Sequence, residues 1–234
     1  MDKLKYNLGE INYTGKFPVV LDWCNTDQPK NADPNWDTPI DYRFNSYGFR
    51  DEEFERDKCS IVCVGGSQSF GVGVALENTW PYLLGQLLGI KTYNLSIPAG
   101  SMDSVYRVLS QWLPEIDPLA VCVVEPPQAR RELFTLTGHH NVGVWADKKY
   151  HLMIESETEV DLNISRNKDA INSLHNNVFF QTEFVEDTLA RDQLHIGNKS
   201  HKWYSEHMKF RFENNLTGDY EMSNTMVKEV TKYK

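Results

Sequence analysis

Between Ser60 and Val124 the chain alternates short unbroken apolar runs with stretches whose apolar residues return every third or fourth position. Ser60-Ile61-Val62-Cys63-Val64 ends in Gly65-Gly66, as expected of a strand buried on both faces of a parallel sheet. Trp80, Leu83, Leu84, Leu87 and Leu88 then fall on one helical stripe. Asn78 or Thr79 is placed to cap that helix, Pro81 lies in its first turn and Gly89 follows its end. Lys91 to Leu95 predicts a short strand, and Ser101 opens a second helix striped by Val105, Val108, Leu109, Trp112 and Leu113, halted near Pro114 and Pro118. Leu119 to Val124 is another continuous apolar run. Strand and helix taking turns at this pitch require right-handed crossovers, so the fold class is α/β with a parallel sheet.

Outside this region the pattern is weaker. Residues 1 to about 55 are polar, with turn chemistry at Thr26 to Asn35 and aromatic anchors from Tyr42 to Phe54, and read as an arm laid on the core. Asn141 to Ala146 and Tyr150 to Ile154 predict an inserted hairpin around Asp147-Lys148-Lys149. Glu155, Glu157, Glu159 and Asp161 alternate, predicting one solvated strand face more readily than a Ca²⁺ site. Helix is expected from Arg166 to Ala190, with a short strand at Val178-Phe179-Phe180, and a last helix from Asn198 carrying Trp203, Tyr204, His207 and Met208. The expected organisation is an arm over 1–55, a core domain over 56–214 with an insertion at 128–165, and a tail over 215–234.

Composition narrows the function. With 24 basic and 33 acidic groups in 234 residues the net charge is −9, which disfavours attraction to nucleic acid or anionic membranes. No window approaches a membrane span, and the N-terminus lacks the apolar core of a secretory signal, so a soluble, cytoplasmic protein is expected. Cys59 and Cys63 on one strand would stand about 13 Å apart, too far to pair. With Cys24 and Cys122 they read as buried thiols in a reducing compartment. His195, His201 and His207 are spaced six apart and share no helical face, so no metal site is expected.

Two segments carry candidate chemistry. Gly65-Gly66-Ser67 follows the first core strand at its carboxyl end, where ligands bind in parallel sheets, and the glycines let a sharp turn lift the hydroxyl clear. A helical turn after Ser67 would add a positive dipole end. Asp192-Gln193-Leu194-His195 lies before the last helix. A serine nucleophile needs a base to take its proton and a carboxylate to orient that base, and these two residues supply both. Each segment alone also reads as ordinary capping chemistry.

Together and in this order, the segments resemble the SGNH (GDSL-type) hydrolases. Asn45-Ser46-Tyr47-Gly48-Phe49-Arg50-Asp51 is similar to the stretch before the family's first strand. Gly65-Gly66-Ser67 with Phe70-Gly71-Val72-Gly73 is similar to its nucleophile block, Asn94 to Gly100 to its second block and Asp192 to His195 to its last. The resemblance covers roughly residues 42–130 and 187–210. It implies a three-layer α/β/α, flavodoxin-like fold and ester or acyl hydrolysis through an acyl-enzyme, with a small-molecule or glycan ester as substrate. Ser67 would be the nucleophile, His195 the base and Asp192 its orienter. The N–H groups of Ser67 and of Ala99 or Gly100 would receive the oxyanion, and no metal or organic cofactor is implied.

Two departures stand out. The residue before the nucleophile, usually Asp, is Gly66. The third block, which normally carries an oxyanion-donating Asn, is replaced by Glu125-Pro126-Pro127-Gln128-Ala129-Arg130-Arg131-Glu132. Gln128 is the amide available to substitute. Arg130 and Arg131 could hold an anionic substrate group, although solvated or Glu132-paired arginines are the simpler reading. One missing oxyanion donor costs around 10²–10³ in turnover. The sequence therefore leaves open an esterase, an acyltransferase using the same triad, and a noncatalytic module on the same fold.

Overall fold

In a computed structural model of the chain, the described residues are 40, 42–135, 138–143, 156–182, 189–190 and 195–219. Strand β1 (Ile61–Gly65) leads into a single helical turn α1 (Ser67–Phe70), helix α2 (Trp80–Leu88) and strand β2 (Thr92–Asn94). Helix α3 (Met102–Ile116) and strand β3 (Ala120–Val124) follow. A hairpin of β4 (Arg131–Thr135) and β5 (Gly138–Val142) precedes α4 (Glu157–Leu174), β6 (Val178–Gln181), α5 (Asn198–Glu213) and β7 (Gly218–Asp219).

The main sheet is parallel throughout and ordered β2-β1-β3-β6-β7. Numbered within the sheet this is 2-1-3-4-5, the flavodoxin-like order, whose ligands bind at the switch point beside the first strand. Alternation along the strands separates two cores. Val62, Val64, Val121, Val123, Val178 and Phe180 meet Val105, Val108, Leu109 and Trp112 of α3 and Ile164 and Ile171 of α4. Ile61, Cys63, Ala120, Cys122 and Phe179 meet Trp80 and Leu84 of α2 and Tyr204 and Met208 of α5. Three layers result, because every central strand must cover two apolar faces.

The aromatic lead segment docks as expected. Phe49 and Phe54 pack edge-on against Trp112, at 5.8 and 5.3 Å between ring centroids, and Tyr42 stacks on Phe70 at 6.0 Å. Several expectations are corrected. A hairpin lies at 131–142, taking in Asn141 and Val142, while most of the one expected at 141–154 falls at 144–155, outside the described residues. The acidic segment is the start of helix α4 rather than a strand, with Ser156 Oγ accepting from Glu159 N–H at its N-terminus. Two carboxylates in that first turn suit the positive end of the helix dipole. The helix ends at Leu174, and Gly218–Asp219, read as tail, pairs with β6. Cys59 is exposed in the turn before β1, whereas Cys63 and Cys122 are buried neighbours on adjacent strands. Burial pushes the Cys122 thiol up to about 12 and that of Cys63 well above its ordinary value. No helix among the described residues is long and apolar enough to cross a membrane.

Candidate active site

Ser67 is buried at the first position of α1, directly beyond the carboxyl end of β1. Its N–H heads the turn, so no intrahelical carbonyl claims it. Four residues make too short a helix for a large dipole, and any help to an oxyanion comes from this N–H itself. The turn is held from behind by Arg50, whose side chain is fully buried. Arg50 Nη1 donates to the carbonyls of Phe70 (3.1 Å) and Gly71 (2.6 Å), and Nη2 to that of Val74 (2.8 Å). Its guanidinium lies 4.2 Å from the Tyr42 ring centroid, and Tyr42 OH accepts from Gly73 N–H at 2.7 Å. Asn94 Nδ2 donates to Ser69 O at 2.9 Å, fixing the turn from the β2 side.

The second block runs beside the first. Pairing continues past β2, with Ile97 N–H donating to Gly65 O at 3.1 Å. Ala99 takes a left-handed φ of 60° and is partly exposed. Gly100 N–H donates to Ile97 O at 3.0 Å, so of the two alternatives for the second oxyanion donor Gly100 is already committed. Ala99 remains.

His195 is brought to the same edge. An antiparallel bridge joins Leu189 to Ile196, and Ala190 N–H donates to His195 O at 2.7 Å, closing the loop that carries the histidine. Gln68 Oε1, one residue past Ser67, accepts from Ile196 N–H at 2.8 Å. The two segments, 128 positions apart, are thus tied side by side. Among the described residues no hydrogen bond joins Ser67 Oγ to the His195 ring, and Asp192 lies outside the described residues. Catalytic hydrogen bonds are often long before substrate binds.

Sequence reasoning missed Gln68, for which the only signal was a polar residue in an otherwise buried turn. Its loss has a distinct signature. Gln68→Leu removes the acceptor of a part-buried N–H, a stability cost of about 1 kcal/mol. Should His195 act as a general base, releasing its loop is expected to lower kcat by about 10²-fold, the penalty of an ångström of misplacement. Gln68→Glu keeps an acceptor oxygen and restores kcat. Steady-state kinetics beside thermal unfolding check this, since a purely structural clamp would lower the melting temperature and leave kcat unchanged.

His201 ties the layers behind the site. Its Nδ1 accepts from Trp80 N–H at 3.1 Å, so the neutral ring carries its proton on Nε2, which has no hydrogen-bond partner. Burial, then the charges of Arg50 and His195, push His201 down to about 3. Burial also pushes Asp51 up to about 7, although its carboxylate accepts from the N–H groups of Asn94 and Glu52.

The third block divides. Glu125 faces α4, where Lys168 Nζ stands 2.8 Å from its Oε1 and 2.8 Å from Asp219 Oδ1. Gln128, the expected amide donor, is exposed in a turn. Glu132 pairs with Arg107 of α3, and Arg131 Nη2 donates to Glu159 O at 3.0 Å. Arg131 is therefore a strut between the hairpin and α4. Arg130 is different: its Nη1 reaches Gly100 O at 3.5 Å and lies 3.4 Å from where a Cβ on Gly66 would stand.

No family model matches the chain, and no curated protein matches its sequence. Solved structures do. The chain is similar to the psychrotrophic esterase EstA from Pseudoalteromonas sp., at 13% identity and a TM-score of 0.41, over 68% of this chain and 98% of that one. It is similar to Est24, a carbohydrate acetylesterase from Sinorhizobium meliloti, at 13% identity and a TM-score of 0.39, over 67% and 99%. A third is a Desulfitobacterium hafniense protein described as lipolytic and of the G-D-S-L family, at 14% identity and a TM-score of 0.37, over 65% and 98%.

Proposed function

We propose that this protein is a serine hydrolase of the SGNH kind that cleaves short acyl esters, with O-acetylated carbohydrate as its substrate class. The observation that carries the reading is the 2.8 Å hydrogen bond from Ile196 N–H to Gln68 Oε1, which sets the loop of His195 against the turn of Ser67. The O-acetyl assignment comes from the family resemblance and not from any one residue. In the reaction, Ser67 Oγ attacks the acyl carbon while its proton passes to His195, with Asp192 orienting the ring. The carbonyl π pair moves onto oxygen, which the N–H groups of Ser67 and Ala99 receive. Collapse expels the sugar alcohol, which takes the proton from His195. Water, deprotonated by the same histidine, then releases the acid and restores Ser67.

A fluorophosphonate probe tests this directly. It labels the wild type, with mass spectrometry locating the adduct on Ser67, and spares Ser67→Ala. Equal labelling of both proteins removes Ser67 from the role. An unlabelled wild type that is also silent on a panel of p-nitrophenyl esters leaves a noncatalytic binding module. Product analysis with an added sugar acceptor separates hydrolysis from acyl transfer, since only the final acceptor hydroxyl differs.

A further inference from the structure

We propose that Arg130 is a third oxyanion donor, a catalytic residue taking the place of the amide that the third block lacks; the inference rests on the esterase reading above. The backbone explains how an arginine arrives there. In register, Gly65 of β1 pairs with Val124 of β3, so the residues after both strands emerge together at the carboxyl edge. Glu125 turns away toward Lys168, and Pro126 packs beside Gly66, 3.5 Å from its Cβ position. Arg130 N–H then donates to Pro127 O at 3.2 Å, closing a turn that leaves Gln128 and Ala129 at its exposed tip and brings Arg130 back over the site.

The guanidinium ends between the two backbone segments that bear the other donors. Gly66 immediately precedes Ser67 N–H, and Gly100 immediately follows Ala99. Nη1 reaches Gly100 O at 3.5 Å and lies 3.4 Å from where a Cβ on Gly66 would stand. A Cβ at Gly66 would meet the guanidinium at ordinary van der Waals distance, so the arginine lies directly over this position. A carboxylate at that position would stand against the arginine and neutralise it. Arg130 is half-buried, and burial holds its guanidinium below the ordinary arginine value. A cationic N–H donor in such a place makes a stronger hydrogen bond to a forming oxyanion than a neutral amide does. The carbonyl substrate carries no such charge, so the interaction grows on going to the tetrahedral state and acts on kcat rather than on KM.

The experiment compares wild type, Arg130→Met and Arg130→Lys on p-nitrophenyl acetate and with a neutral fluorophosphonate. Thermal unfolding of each variant runs alongside. Arg130→Met is expected to lose about 10²–10³ in kcat and in labelling rate, with KM unchanged. Arg130→Lys keeps the charge without the fork and recovers part of the loss. The lysine variant keeps the test valid if the methionine variant is poorly folded. Wild-type kcat and labelling in both variants overturn the role of Arg130 while leaving the esterase reading standing. Unchanged kcat on the acetate ester, with a raised KM only for p-nitrophenyl hemisuccinate, also overturns it and makes Arg130 a receptor for an anionic substrate group. A wild type that is neither labelled nor active sinks both proposals together.

Discussion

Ser67→Ala and His195→Gln are each expected to lower kcat by about 10⁴- to 10⁶-fold, and the double variant to be no slower than either single one. The reason is that nucleophile and base act as one unit. Without the hydroxyl there is nothing for the imidazole to deprotonate. Without the imidazole the hydroxyl is a poor nucleophile at neutral pH. What survives in all three variants is binding and oxyanion stabilisation from the backbone. Folding should change little on loss of the serine hydroxyl, because Ser67 holds its surroundings through its backbone: its carbonyl accepts from Gly71 N–H at 3.1 Å and Val72 N–H at 3.2 Å. Steady-state rates on p-nitrophenyl acetate, with melting temperatures alongside, make the comparison. Losses that multiply in the double variant would mean that the two residues contribute independently, and a triad would be the wrong description.

Gly65→Ala is expected to cost the protein about 3 kcal/mol or more, a sizeable part of the 5–15 kcal/mol that an ordinary domain possesses. The cause is steric rather than conformational. A Cβ at Gly65 would fall 2.4 Å from Ser69 Oγ and 2.5 Å from Val124 O. The serine hydroxyl can rotate away. The carbonyl cannot, because it belongs to the in-register residue of β3, and both strands are buried at the centre of the sheet. Relief requires prying β1 from β3 at the point where Ser67 is presented, so activity and stability fall together. Gly89→Ala is the control. Gly89 has a left-handed φ of 65° at the end of α2 but nothing within 4 Å of its Cβ position, so only about 1 kcal/mol of backbone strain is expected. Urea unfolding midpoints measure both, and a wild-type midpoint for Gly65→Ala would refute the steric argument.

The sheet and the first two long helices were legible in the chain itself, because burial on both faces or on one imposes a period that survives in one dimension. Ile61 to Gly65, the stripe of α2 apart from the exposed Leu87, the Ser101 cap of α3 and the Ala120–Val124 run each state their environment locally. The acidic start of α4 misled because four carboxylates at alternate positions mimic a strand. Its helical signals were Ser156 three residues before Glu159, and Ile164 with Ile171 seven apart on the buried face. The places of the two candidate segments were legible too: a glycine turn follows the core strand at Ser67, and His195 precedes the last helix.

What no local pattern contained is which side chains arrive at that turn from elsewhere. Gln128 looked like the missing donor because amide chemistry was sought by type, yet the Pro127–Arg130 turn exposes it and delivers Arg130 instead. Arg50 looked like part of an aromatic anchor, and only the fold shows it holding three carbonyls at and beyond the end of α1. Gln68 reaches Ile196 across 128 positions. Periodicity is imposed by the layer a residue faces and is therefore written along the chain. A meeting between loops is fixed by strand register and by the reach of individual side chains, and these exist only once the sheet has formed.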